Sequence, residues 1–475
     1  MAPYPENPRY LAMDGQPIFA IGATHRHSWA PISRPEEFPL LQDLDRLDAM
    51  VRRTPGDRVR GFVRLIAYDP LNHQHDGPVT RLLQPWKRLA DGRFDLEQFE
   101  PAWEQRLRAF LDAAHERRIV VSLELWDDWS ITRGAGGQSD PGPGRGWNGH
   151  PFNPNNNVNY DETVLPATTR ECYAPFYRTL PEHENITAAL ALQHRYADRL
   201  IDIAGGYGNV LWNVANESRA PLSWSQYWAS YLGERLPGRL IGDMPSTNRR
   251  DGRGECDPEF NPATLAVDDR YGYVDIAQGV SRHEFGPDVI KQAVGGAARI
   301  RAYQQAMIEH GRIKPLVICK EYTNAGPDAV TALWSRFTGG AATARFHRPY
   351  GDVDFETIPS FQYAAAERLA QFVVGVAFER MQPMPELIVS DDANINVLGA
   401  AGREYVAHLV GRREATELAL DLPPGRWQVV VHDAHREGEE TQVSTQTLEA
   451  GDEPARLALP AHEHALVVHL QRGDG

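Results

Sequence analysis

The sequence predicts an α/β protein: a (β/α)8 TIM barrel with an N-terminal hairpin over residues 1–382, then a small antiparallel β-sandwich over 383–475. Three observations predict it. Apolar, β-favouring runs alternate with amphipathic helical stretches along the first four-fifths of the chain, and such alternation builds a parallel sheet. Nearly every run ends in a polar or aromatic cluster, as a barrel with its chemistry at the strand C-termini requires. From Pro383 onward the texture changes to short alternating strands punctuated by Ala400-Ala-Gly, Pro423-Pro-Gly and Glu449-Ala-Gly, which suits a sandwich. An open doubly wound sheet is the alternative, but it wants a glycine-rich phosphate loop after an early strand. Gly205-Gly206 precedes its strand and Gly339-Gly340 comes late.

In chain order, residues 7–22 form a hairpin about Asp14-Gly15. Its second arm runs into Ala23-Thr24-His25-Arg26-His27-Ser28-Trp29. A helix at 43–53 and a strand at 61–67, carrying Arg64, follow. A helical pattern at 95–117 places Phe99, Trp103, Leu107, Phe110 and Leu111 on one face. The strand 119–125 delivers Trp126-Asp127-Asp128-Trp129. The insertion 130–184, rich in Gly, Pro and Asn and holding Trp147, is long enough to be one wall of a site. Helix 186–204, strand 210–215, helix 223–235 and a short strand at 240–244 come next. Strand 274–280 leads to Ser281-Arg282-His283-Glu284, helix 288–309 to strand 314–319, and helix 328–339, with Asp328 as cap, to a last strand at 340–347. A long amphipathic helix, 358–379, follows.

The net charge of −15 is a poor match for nucleic acid or an anionic membrane surface. No run of apolar residues is long enough for a transmembrane helix. Cys172, Cys256 and Cys319 are odd in number and widely spaced, which suits a reducing compartment. With no signal pattern at the N-terminus, the expected location is the cytoplasm. No cofactor is expected.

The chemistry centres on two run ends. Residues 209–218, Asn-Val-Leu-Trp-Asn-Val-Ala-Asn-Glu-Ser, read as a buried strand ending in Asn216-Glu217. An acid there is costly unless it faces a cavity or a partner. The plain alternative is a helix N-terminus, with Asn216 or Ser218 as cap. A second such run ends in Lys320-Glu321-Tyr322. Two intervening strands make these the fourth and seventh. Two carboxyl groups flanking a pocket are what glycoside hydrolysis needs, one to protonate the leaving oxygen and one to attack the anomeric carbon.

Asn-Glu closing strand four and Glu closing strand seven resembles the pattern of clan A glycoside hydrolases over residues 1–380. The resemblance implies Glu217 as acid/base, Glu321 as nucleophile, Asn216 on the sugar 2-hydroxyl, and Arg64 paired with the nucleophile to keep it ionised. At finer grain the chain is similar to the apiosidase-like group, on the N-terminal hairpin, the small C-terminal sandwich, Asp91-Gly-Arg-Phe-Asp95-Leu and the Asn-rich stretch 152–160. It departs from that group at strand six, where His-x-Tyr reads His283-Glu284-Phe285, and at strand eight, which reads Arg345-Phe346-His347-Arg348.

The expected activity is therefore retaining hydrolysis of a non-reducing-end sugar by double displacement, with carboxyl groups about 5–5.5 Å apart. The expected partner is a carbohydrate substrate. Trp126, Asp127 and Trp147, with Trp129 nearby, suit a sugar-binding wall, and His27, His283 and Arg345 suit its rim, although each singly also suits plain packing. His25-x-His27 is also a metal-binding start, so a metal-dependent barrel hydrolase is one rival. A barrel that only binds glycans is the other. Trp427 of the sandwich sits inside a strand and is expected to pack.

Overall fold

The structure is a computed structural model of the 475-residue chain. It describes residues 1–22, 30–35, 39–68, 82–134, 142, 144–170, 174–246, 257, 259–277, 289–321, 326–345, 360–389, 394–436 and 441–473. The barrel-type strands are β1 (Gln16–Gly22), β2 (Val59–Ile66), β3 (Val120–Asp127), β4 (Val210–Asn216), β5 (Ile241–Gly242), β6 (Val274–Asp275), β7 (Leu316–Val317) and β8 (Thr343–Arg345).

By internal packing the chain divides into two units. The first comprises Met1, His27–Arg46 and Val63–Gln278; the second comprises Ala2–Arg26, Leu47–Phe62 and Gly279–Gly475. In the first unit the strand order is β2–β3–β4–β5. Val121 lies opposite Val210, and Trp212 opposite Ile241, both parallel. β6 follows β5, the Asp275 N–H donating to the Asp243 carbonyl at 3.2 Å. In the second unit β1 pairs in parallel with both β2 and β8. β7 lies beside β8, where Ala342 N–H donates to the Leu316 carbonyl at 2.9 Å. The succession of parallel strands is that of a (β/α)8 fold. Every residue of β2, β3 and β4 is buried, as expected of parallel strands covered on both faces.

The hairpin about Asp14-Gly15 forms, with Leu11–Met13 antiparallel to β1 and Gly15 at φ +77°. The helix expected over 95–117 begins later, at Pro101–Glu116. Phe94–Phe99 instead pairs with Trp86–Arg88 in a second hairpin whose turn places Gly92 at φ +90°. The helix starts where Glu100 accepts the Ala102 N–H and Pro101 fills the first turn. It buries Trp103, Leu107, Phe110 and Leu111 of the predicted face, whereas Phe99 lies on the hairpin strand.

The C-terminal strands form two antiparallel sheets. Six strands run in the order Gln382–Pro383, Ile395–Ala400, Glu404–Val410, Ala465–Arg472, Gly425–Asp433 and Gln442–Ala450; two more, Thr416–Leu420 and Ala455–Leu459, pair separately. Leu418, Leu420, Leu457 and Leu459 of the smaller sheet share one apolar core with Trp427, Val429, Val431 and Val468 of the larger. Trp427 is fully buried there, so its large apolar area goes to packing. Among the described residues no helix is long and apolar enough to cross a membrane.

Candidate active site

In the first unit the candidate site is built where β3 and β4 end side by side, with Asp127 opposite Asn216. β4 does not end in a helix cap. Glu217 takes a left-handed φ of +47°, after which the chain returns to the sheet: Ser218 N–H donates to the Met244 carbonyl at 2.9 Å. The next helix starts only at Leu222. A left-handed conformation at a residue with a Cβ costs of order 1 kcal/mol, and such outliers gather at functional sites. The strained residue here is the predicted acid.

Glu217 is 3% exposed, and its Oε2 accepts the Trp129 indole N–H at 2.6 Å. Trp129 lies on the short helix Asp128–Thr132, whose cap is Asp127: its Oδ2 accepts the Ser130 N–H at 2.9 Å. The other Asp127 oxygen accepts a short hydrogen bond from the Asn216 amide. Asp127 therefore holds both the helix that carries Trp129 and the side chain that precedes Glu217. Burial pushes the Asp127 carboxyl up to about 7, against the lowering effect of the Asn216 and Ser130 hydrogen bonds. Asp128 is also raised by burial, with Arg219 opposing. Its Oδ1 accepts from Tyr177 Oη at 2.6 Å and from the Arg219 N–H at 3.0 Å.

Arg64 has a partner on the neighbouring strand. It forms a bidentate pair with Glu124 of β3, Nε to Oε1 at 2.5 Å and Nη2 to Oε2 at 2.6 Å. The reason lies in the neighbouring strand: a carboxylate in the middle of a fully buried run needs a cation, and Arg64 supplies it. In the second unit, Glu321 lies beyond the end of β7 with no exposure. Its partner is Arg336 of the helix Pro327–Thr338, Nε to Oε2 at 2.8 Å and Nη2 to Oε1 at 3.1 Å. Arg336 is thus a cation on Glu321 that the resemblance does not name.

Two members of the expected sugar-binding wall belong to the core instead. Trp126 is fully buried, with ring centroids 4.9 Å from Tyr196, 5.0 Å from Phe176 and 5.5 Å from Trp228. Trp147 is fully buried and stacks on His150 at 5.4 Å. Large rings with so many aromatic neighbours gain more from packing than from a sugar face. Trp129 keeps partial exposure. Arg345 is 3% exposed at the end of β8. His25, His27 and His283 lie outside the described residues. Among the described residues no group of three or more His, Cys, Asp or Glu side chains could hold a metal ion.

Glu124 and Arg336 were missed by reading run ends alone. Each leaves a signal: a charge embedded in an apolar stretch, Val-Val-Ser-Leu-Glu-Leu for Glu124 and Leu-Trp-Ser-Arg-Phe for Arg336. Such a charge demands a buried partner.

No protein-family model matches the chain, and no curated protein is similar to it in sequence. Solved structures are similar in fold. One described as a glycoside hydrolase aligns with a TM-score of 0.57 at 9% identity, over 100% of this chain and 98% of its own. An α-amylase from Geobacillus thermoleovorans, complexed with acarbose, aligns with a TM-score of 0.50 at 10% identity, over 96% of this chain and 99% of its own. An Anoxybacillus α-amylase aligns with a TM-score of 0.50 at 10% identity, over 96% and 98%. The fold of this chain is the TIM-barrel fold of glycoside hydrolases, accompanied by C-terminal antiparallel sheets.

Proposed function

We propose that the protein is a retaining glycoside hydrolase acting on a non-reducing-end sugar, with Glu217 as acid/base and Glu321 as nucleophile. The observation that carries the reading is Glu217 itself: a buried, conformationally strained carboxyl group at the end of β4, held by Trp129 and preceded by an Asn216 fixed on Asp127. The bidentate contact of Arg336 with Glu321 supports it, because two parallel hydrogen bonds fix the orientation of the carboxyl group that must attack. The contact engages one lone pair on each oxygen, and a carboxylate carries two on each.

In the first step a Glu321 oxygen attacks the anomeric carbon. The glycosidic C–O bond breaks with its electron pair going to the leaving oxygen, which takes the proton of Glu217. In the second step water attacks the glycosyl ester and gives a proton to Glu217, and the ester bond to Glu321 breaks. Asn216 binds the sugar 2-hydroxyl.

The test is a panel of aryl glycosides that includes furanosides and uronides, run on the wild type, Glu217→Gln and Glu321→Gln. The variants are expected to lose roughly a hundred-fold or more in kcat on the glycoside the parent cleaves. Proton NMR of the first-formed product should show retained anomeric configuration. Inversion removes the nucleophile assignment. Full activity in both variants removes the reading altogether, and glycan binding without turnover leaves a binding barrel.

A further inference from the structure

Trp129, one of the described tryptophans flanking the β3 end, touches the predicted acid and carries a cation on its face. The indole N–H donates to Glu217 Oε2 at 2.6 Å. The Arg133 guanidinium carbon lies 3.0 Å from the ring centroid, and that of Arg219 lies 5.9 Å away. The ring is held from below, since its helix is capped by Asp127 and its neighbour Asp128 is tied to Tyr177, Thr132 and Arg219.

We propose that Trp129 is a positioning residue for acid catalysis, its N–H occupying Glu217 Oε2 so that the transferable proton is carried on Oε1. This rests on Glu217 being the acid/base. An indole nitrogen donates and never accepts. The oxygen facing it must therefore be the one without a proton, which makes the two oxygens of the carboxyl group distinct. A cation against the ring face withdraws electron density and strengthens the N–H as a donor. During glycosidic cleavage the Oε1 proton passes to the leaving oxygen, which keeps the electron pair of the broken C–O bond. During hydrolysis of the ester, Oε1 takes a proton from the attacking water. Oε2 stays on Trp129 throughout.

Among the described residues, the charged groups around this corner include Asp127 and Asp128 at the β3 end, Arg133 and Arg219 about the ring, and the Arg64–Glu124 pair between β2 and β3. The Arg64–Glu124 pair is internally neutral, and Arg219 lies against Asp128. Loss of either the N–H or the Arg133 cation makes the Glu217 anion less favourable, so both losses move proton release to higher pH.

Trp129→Phe keeps an aromatic ring without the donor, and Arg133→Gln keeps the indole without the cation. Each is assayed on the cleaved glycoside with a good leaving group, dinitrophenyl, and with a poor one, phenyl. For Trp129→Phe the expected result on the phenyl substrate is a loss of roughly ten- to hundred-fold in kcat/KM, with the dinitrophenyl substrate within about two-fold, because only the poor leaving group needs the proton. The alkaline limb of the pH–rate profile should move up by about one pH unit. Arg133→Gln should move both readouts in the same direction by less, and it decides the matter if Trp129→Phe does not fold. Equal losses on both leaving groups with an unmoved limb, or no change in either variant, would overturn the proposal. Glu217→Gln on the same two substrates separates the levels. If it spares the phenyl substrate, the acid/base reading itself fails; if it alone abolishes that turnover, only the role of Trp129 fails.

Discussion

Arg64, Glu124, Glu321 and Arg336 each expose no more than 4% of their surface. A lone charge at such a position costs several kcal/mol, and a bidentate partner offsets most of that. Arg64 with Glu124 and Arg336 with Glu321 therefore behave as pairs: removing one member harms the fold more than removing both. Arg336→Gln is expected to destabilise the chain by about 3–5 kcal/mol, because the buried Glu321 loses its bidentate guanidinium. The double variant Glu321→Gln/Arg336→Gln should recover part of that loss. Urea denaturation of the three proteins at pH 7 measures it. Equal destabilisation by the single and double variants would show that the pair is not coupled.

At the scale of elements, the β3–helix–β4 corner is the unit that matters. Four consecutive residues, Trp126-Asp127-Asp128-Trp129, divide their work. Trp126 packs among Tyr196, Phe176 and Trp228. Asp127 caps the helix and holds Asn216, Asp128 anchors Tyr177 and the loop after Glu217, and Trp129 reaches Glu217. The sequence displays all four as a polar–aromatic cluster and offers no means of telling the packing tryptophan from the contacting one. That depends on small changes of direction where strand turns into helix. Trp126→Ala should cost about 3–5 kcal/mol in unfolding free energy. Trp126→Phe, which keeps most of the ring volume, should leave KM for the cleaved glycoside unchanged within about two-fold. A rise in KM without loss of stability would return Trp126 to the sugar-binding wall.

Across the whole molecule, the pH dependence of stability is set by buried groups of two kinds. Burial holds His408 near 3, His432 near 4 and His435 near 3, all neutral in the fold, whereas the unfolded chain titrates near 6.5. Below about 6.5 the unfolded state therefore binds more protons than the native one, and stability falls as the pH drops towards 4. Asp127 and Asp243, both raised to about 7 by burial, work in the opposite sense: between about 4 and 7 the native state holds the extra proton, so their contribution falls as pH rises. His435→Gln, which can keep the bond to Thr331 Oγ1, isolates the histidine part. Denaturant midpoints at pH 7, 5.5 and 4.5 should fall less steeply for this variant than for the parent. Identical slopes would mean that His435 gains its proton without cost to the fold.

The amino-acid sequence by itself determined the alternation of strands and helices, the change to antiparallel sheets near Pro383, the hairpin about Asp14-Gly15, and the arrival of Glu217 and Glu321 beyond the ends of buried runs. These follow from local periodicity, turn chemistry and the cost of an acid in an apolar run, all of which act over a few residues. Only the tertiary structure decided which charge meets which, since Arg64 and Glu124 lie on different strands and Glu321 chose the helix that follows it. Only the tertiary structure decided which tryptophan is core, and that Glu217 sits in a left-handed kink held by Trp129. Pairing between residues distant in sequence is set by strand register and by which buried charge lacks a partner, and neither is written in any single stretch of the chain.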